Sequence, residues 1–140
     1  VSLWHGAGDD LSDVEKTPIG AWHWNELHSK DAQAAVAFYT QVFGMTQEAM
    51  DMGPAGMYHI LKDAAGQMRG GIMQQEAGVA APSSWLPYIQ VADCDASTAL
   101  AMKLGARQTI APPMDVANVG RFSIVMDAFG APIGLITAAD

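Results

Sequence analysis

Hydrophobic and polar positions alternate from Ala21 to His28, and a period of two sets Trp22, Trp24, Glu26 and His28 on one face of a strand over about residues 20–28. His23 points away from that face. Asp31 is placed to cap a helix. Its apolar positions Ala35, Val36, Tyr39, Val42 and Phe43 recur at helical spacing, and Gly44 stops it. Three short strands follow, Met45–Met50, Met57–Lys62 and Met68–Gln74, separated by glycine or Asp-Ala-Ala-Gly turns. Glu76–Ser84 reads as a linker. The pattern then recurs: a strand over Trp85–Ala92, a cap at Asp93-Cys94-Asp95, a helix over Ala96–Leu104 and a stop at Gly105. Arg107–Ala111 is a strand, Pro112–Gly120 a long loop, and Arg121–Met126 and Ala131–Thr137 are strands about a turn at Asp127–Gly130.

An offset of about 62 residues lays Asp31 on Asp93 and Leu27 on Ile89. The offset is even, so faces stay in phase and Trp24, Glu26 and His28 correspond to Leu86, Tyr88 and Gln90. The reading is an α+β fold in which two βαβββ modules, residues 19–75 and 84–138 of a domain at 19–140, form a curved mixed sheet around a cleft. Clefts of that kind bind small molecules. Residues 1–18 read as a strand-like segment, Val1–His5, and a polar linker. They belong to a preceding unit or pair with a sheet edge.

Composition narrows the partners. The chain has 140 residues, enough for one domain, and half are hydrophobic. A formal charge of −8 disfavours nucleic acid and anionic membranes as partners. No apolar run reaches the roughly 20 residues of a membrane helix. Cys94 is the single cysteine, which excludes an internal disulfide and fits a reducing cytoplasm. Asp93 and Asp95 beside it disfavour a thiolate. There is no phosphate-cradling glycine motif and no nucleophile elbow. The nine methionines suit gap-filling in the core.

Glu26 is the leading candidate for chemistry. A carboxylate flanked by Trp22, Trp24 and Leu27 is costly unless paired or protonated. It could serve as a general base or bond a ligand amine or hydroxyl. It could equally be a structural partner of Arg121, Arg69 or backbone N–H groups. Glu26 and His28, two residues apart on one face, with His59 on a later strand, form a second option as ligands for Zn or Fe(II).

Several short motifs occur in a shared order. They are Phe38-Tyr39 with Val42-Phe43-Gly44, Val91 to Ala96, Leu104-Gly105-Ala106, Gly120-Arg121-Phe122, and Asp127 followed by Gly130-Ala131. Over residues 19–138 this order resembles the vicinal oxygen chelate superfamily of glyoxalases, bleomycin-resistance proteins and extradiol dioxygenases. Trp24-x-Glu26-Leu27 and Pro112-Pro113-x-Asp115 are similar to a glyoxalase-like subgroup that often carries tandem domains. The resemblance implies a homodimer or tandem pseudo-dimer, with this chain as the second half of a longer protein or as a single domain with an extra segment. It also places the superfamily's four metal-ligand positions on Trp24, Gly71, Leu86 (or Tyr88, two residues on) and Gly134, which do not make a metal site. An indole at Trp24, or a ligand stacked on it, would fill the metal's volume. Otherwise Trp24 is ordinary core. The expectation is a small-molecule binding protein of the glyoxalase/bleomycin-resistance type with no cofactor, lined by Trp24, Glu26, Tyr58 and Tyr88. The alternatives are a lyase or oxidoreductase of the glyoxalase/dioxygenase kind, using substitute ligands or Glu26 as base, and an interaction domain with a vestigial cleft.

Overall fold

A computed structural model describes Ala7 and residues 13–139. The strand-like reading of Val1–His5 lies outside the described residues. The first module comprises β1 (Trp22–Ser29), α1 (Ala32–Phe43), β2 (Thr46–Asp51), β3 (Met57–Lys62) and β4 (Met68–Gln74). The second comprises β5 (Ser84–Gln90), α2 (Cys94–Lys103), β6 (Gln108–Val116), β7 (Gly120–Met126) and β8 (Pro132–Ala138). All eight strands form one sheet in the order β2-β3-β4-β1-β5-β8-β7-β6. That order is a mirror about the β1–β5 seam, so the repeat in sequence is a repeat in space.

Both helices are capped alike. Asp31 accepts from Ala34 N and Asp93 from Ala96 N, each at 2.9 Å, satisfying one of the free N–H groups of the first turn. Gly44 takes the left-handed conformation that ends α1, at φ 64°. The helices cover one face of the sheet. Under α1 lie Leu27, Val36, Leu61 and Ile72, with Tyr39 and Trp85 packed against them. Trp85 Nε1 donates to Tyr39 Oη at 2.9 Å, so this core leaves no indole N–H unpaired. Under α2 the Thr98 and Ser123 hydroxyls meet at 2.6 Å.

Two local readings are corrected. The region taken as a long loop from Pro112 is strand: β6 runs through Pro112-Pro113 to Val116. It tolerates the prolines because it is the outermost strand and its register with β7 slips between Ala111 and Met114. In β1, Trp22 pairs with Ile89 while Trp24 pairs with Tyr88. Adjacent strand residues point to opposite faces, so this bulge takes Trp22 out of the row formed by Trp24, Glu26 and His28.

Candidate functional site

The face of the sheet away from the helices carries the row Trp24, Glu26 and His28 at its centre. Parallel pairing sets Glu26 beside Gly71 on β4, and Tyr88 beside Gly134 on β8. On the outer strands Ile60 pairs with Gly71 and Ile124 with Gly134. The two modules therefore superimpose position by position: Glu26 on Tyr88, Gly71 on Gly134, Tyr58 on Phe122.

Three side chains converge on the Glu26 carboxylate. His28 Nε2 lies 2.7 Å from Oε1, and Tyr88 Oη donates to the same oxygen at 3.3 Å. The Tyr58 hydroxyl lies within the field of the Glu26 charge, and it accepts the Trp24 indole N–H at 2.8 Å. The structure brings Trp24, Glu26, Tyr58 and Tyr88 together, with His28 beside Glu26. Burial, then the negative charge of Glu26, raises both phenols well above the ordinary tyrosine value, so both remain protonated donors at neutral pH. Glu26 retains 14% exposure and His28 30%, so the carboxylate is reachable from one side.

The two glycines explain how the rings fit. A Cβ at Gly71 would fall inside the Tyr58 phenol, and one at Gly134 inside the Tyr88 ring. The space above each glycine is filled by a tyrosine from another strand, which corrects the assignment of that volume to Trp24. Trp24 instead packs beside Leu86, Tyr88 and Ile136, with Phe122 and Ile124. Tyr88 and Phe122 meet edge to face with centroids 6.0 Å apart.

Other expectations fail on geometry. Neither arginine reaches Glu26. Arg69 is held by Asp13 and Asp63, and Arg121 by Asp95 and Asp115. His59 cannot join Glu26 and His28 around a metal, because it lies on the helix-covered face. There it is 4% exposed and bonded to Gln33 and Gln47. Among the described residues no group of three histidine, cysteine or acidic side chains is placed to hold a metal. At the level of Gly71 and Gly134 only Glu26 offers a ligand of the usual metal-binding kind, and Tyr88 offers a protonated phenol. Those residues do not fit a superfamily metal.

The cluster lies on an open face. Two clefts sit elsewhere. One, of about 550 Å³, is lined by residues 16–19, Gln90 to Ala92, Thr137 and Ala138. The other, of about 400 Å³, lies between Lys30 and residues 74–79. Neither His28 nor Tyr88 was foreseen as a hydrogen-bond partner of Glu26, although Glu26 and His28 were already set on one face. The signal for His28 was the spacing of two on a single strand.

Comparison with known proteins agrees with the fold. Residues 23–135 match the sequence model of the Glyoxalase/Bleomycin resistance protein/Dioxygenase superfamily. A Mycobacterium tuberculosis protein provisionally named glyoxylase CFP32 is 33% identical over 139 residues, covering 99% of this chain and 52% of the relative. The Streptomyces peucetius anthracycline biosynthesis protein DnrV is 28% identical over 125 residues, 80% of this chain and 45% of its own. The chain spans about half the length of these curated relatives. Among solved structures, methylmalonyl-CoA epimerase from Streptomyces coelicolor aligns with a TM-score of 0.63 at 16% identity, over 88% of this chain and all of that one. The Mycobacterium tuberculosis epimerase gives 0.63 and 16%, over 91% and 94%. At that identity these two show a shared fold. No helix among the described residues is long and apolar enough to cross a membrane. The mirrored pair of βαβββ modules and the family match over residues 23–135 place this chain in the glyoxalase/bleomycin resistance protein/dioxygenase superfamily.

Proposed function

We propose that the protein binds a small organic ligand on the open face of the sheet, with Glu26 as its polar anchor and without the metal used by the superfamily's metalloenzymes. The observation that carries this reading is the convergence of Tyr58 and Tyr88 on Glu26 over two glycines. Phenols fill the space beside the usual ligand positions, while one carboxylate keeps a reachable side. Aromatic walls around a few fixed polar groups suit recognition of an organic ligand. The curated relatives include one named for glyoxylase activity and one for anthracycline biosynthesis, and the solved neighbours include epimerases of a CoA ester. That diversity fits a scaffold whose chemistry is set by the residues on this face.

A melting-temperature screen with small aromatic compounds tests the binding. Saturating ligand should raise the melting temperature of the unmodified protein. No shift from any compound would favour an interaction domain instead. Metal analysis of protein purified without chelator tests the other half. A stoichiometric transition metal that disappears in both Glu26→Ala and His28→Ala would overturn the metal-free reading.

The 2.7 Å contact between His28 and Glu26 favours a second reading, in which Glu26 is a general base and His28 tunes and relays its proton. This predicts solvent deuterium entering a carbon acid ligand in the presence of protein, and none with Glu26→Gln.

A further inference from the structure

Resting on the binding role proposed above, we infer the class of ligand: an aromatic amine, with its cationic head at Glu26 and its ring toward the second module. The argument begins with charge. Glu26 is bonded by an imidazole and the protonated Tyr88 phenol, with the Tyr58 phenol nearby, and by no permanent cation among the described residues. Four of the seven arginines and lysines are held elsewhere. Arg69 and Arg121 each hold two carboxylates, Lys62 holds Glu48, and Arg107 donates to the Ala128 carbonyl. A carboxylate among aromatic rings with no fixed counter-ion attracts a cation, and the ring faces add to that attraction. The chain's charge of −8 acts in the same direction at longer range. It disfavours a polyanionic ligand on this face.

Asymmetry between the modules supplies the orientation. Equivalent positions carry Trp24 and Leu86, Glu26 and Tyr88, and Tyr58 and Phe122. The first module therefore presents the carboxylate, the imidazole and a phenol. The second presents Leu86, Phe122, Ile124 and Ile136 around the Tyr88 phenol, with the Gln90 amide in the place of His28 and Met114 opposite Phe122 at 47% exposure. The carboxylate and the imidazole lie in one half, and the other is mainly apolar. A flat apolar body with a positive head matches the two halves taken together, and neither half alone specifies it.

A charge series on one ring system tests this by calorimetry at pH 8, above the ordinary range of imidazole protonation. The probes are naphthylmethylammonium, naphthylmethanol and naphthoate. The ammonium should bind about ten-fold tighter than the alcohol, by the size of a partly desolvated cation contact, and naphthoate should bind weakest. In Glu26→Gln, with folding checked by circular dichroism, the ratio of ammonium to alcohol affinity should fall toward one. Naphthoate binding as well as the ammonium would overturn the inference while leaving a ligand-binding face in place. So would an affinity ratio that survives Glu26→Gln. Failure of all three probes on the unmodified protein would remove the binding role itself, and the inference with it.

Discussion

At the scale of single residues, Tyr58 and Tyr88 look alike and are used differently. Tyr58 accepts from the Trp24 indole at 2.8 Å, whereas Tyr88 donates one bond to Glu26 at 3.3 Å. Tyr58→Phe strands the indole N–H. Tyr88→Phe removes one long bond and keeps the ring packed on Phe122. Urea denaturation should show Tyr58→Phe costing about 1–3 kcal/mol, the range for leaving a buried polar group unpaired, and Tyr88→Phe less than about 1 kcal/mol. Equal losses would mean that the Trp24–Tyr58 bond contributes nothing. The alternation of β1 was legible enough to single out Glu26 and Trp24 from sequence, and the offset of about 62 residues led from Glu26 to Tyr88. What neither could give was the partner of Glu26. An arginine and a neighbouring histidine are equally plausible when only the chemistry of a carboxylate is known, and only the register shows that Arg69 and Arg121 are occupied on other surfaces.

Elements were easier to read than their joints. Asp31, Asp93, Gly44 and the strand alternation placed both helices and most strands, because each signal is local. Strand β6 was missed because a proline pair argues against a strand unless the strand is known to be at an edge, which is a fact of topology. The volume above the glycines in β4 and β8 was offered to an indole at Trp24 or a ligand stacked on it, and tyrosines occupy it instead. Tyr58 comes from β3 and Tyr88 from β5, contacts that depend on three-dimensional register. The two positions should respond unequally to a methyl group. Tyr88 is 6% exposed and locked beside Phe122, so Gly134→Ala forces β8 away from β5 and should cost about 1–3 kcal/mol by overpacking. Tyr58 meets Gly71 through its hydroxyl end and is only partly buried, so Gly71→Ala should swing the ring outward. The visible sign is altered tryptophan fluorescence as Trp24 loses its bond, with a smaller stability loss. Full tolerance of Gly134→Ala would contradict the packing described for β5 and β8.

Across the whole molecule, the seam between β1 and β5 is where two modules become one sheet, and His23 sits in the bulge at its start. Its Nδ1 is buried without a hydrogen-bond partner among the described residues. Burial holds its pKa below the ordinary 6.5. The unfolded chain then takes up this proton more readily than the folded one. Its stabilising contribution is complete above about 6.5, declines as pH falls below that value, and levels off once the folded imidazole also protonates. A second set of groups acts lower on the scale. Asp13, Asp95 and Glu48 are held below their ordinary values first by bonds to Arg69, Arg121 and Lys62, and Asp63 and Asp127 first by backbone N–H groups. Their contribution is present above the ordinary carboxylate range and is lost as pH falls below it. Melting temperature against pH should therefore fall in two stages, one starting near neutrality and one below about pH 4. His23→Gln cannot be protonated, so it should flatten the upper stage and leave the lower one in place. An unchanged slope between pH 7 and pH 5 in that variant would show that the seam is indifferent to this proton.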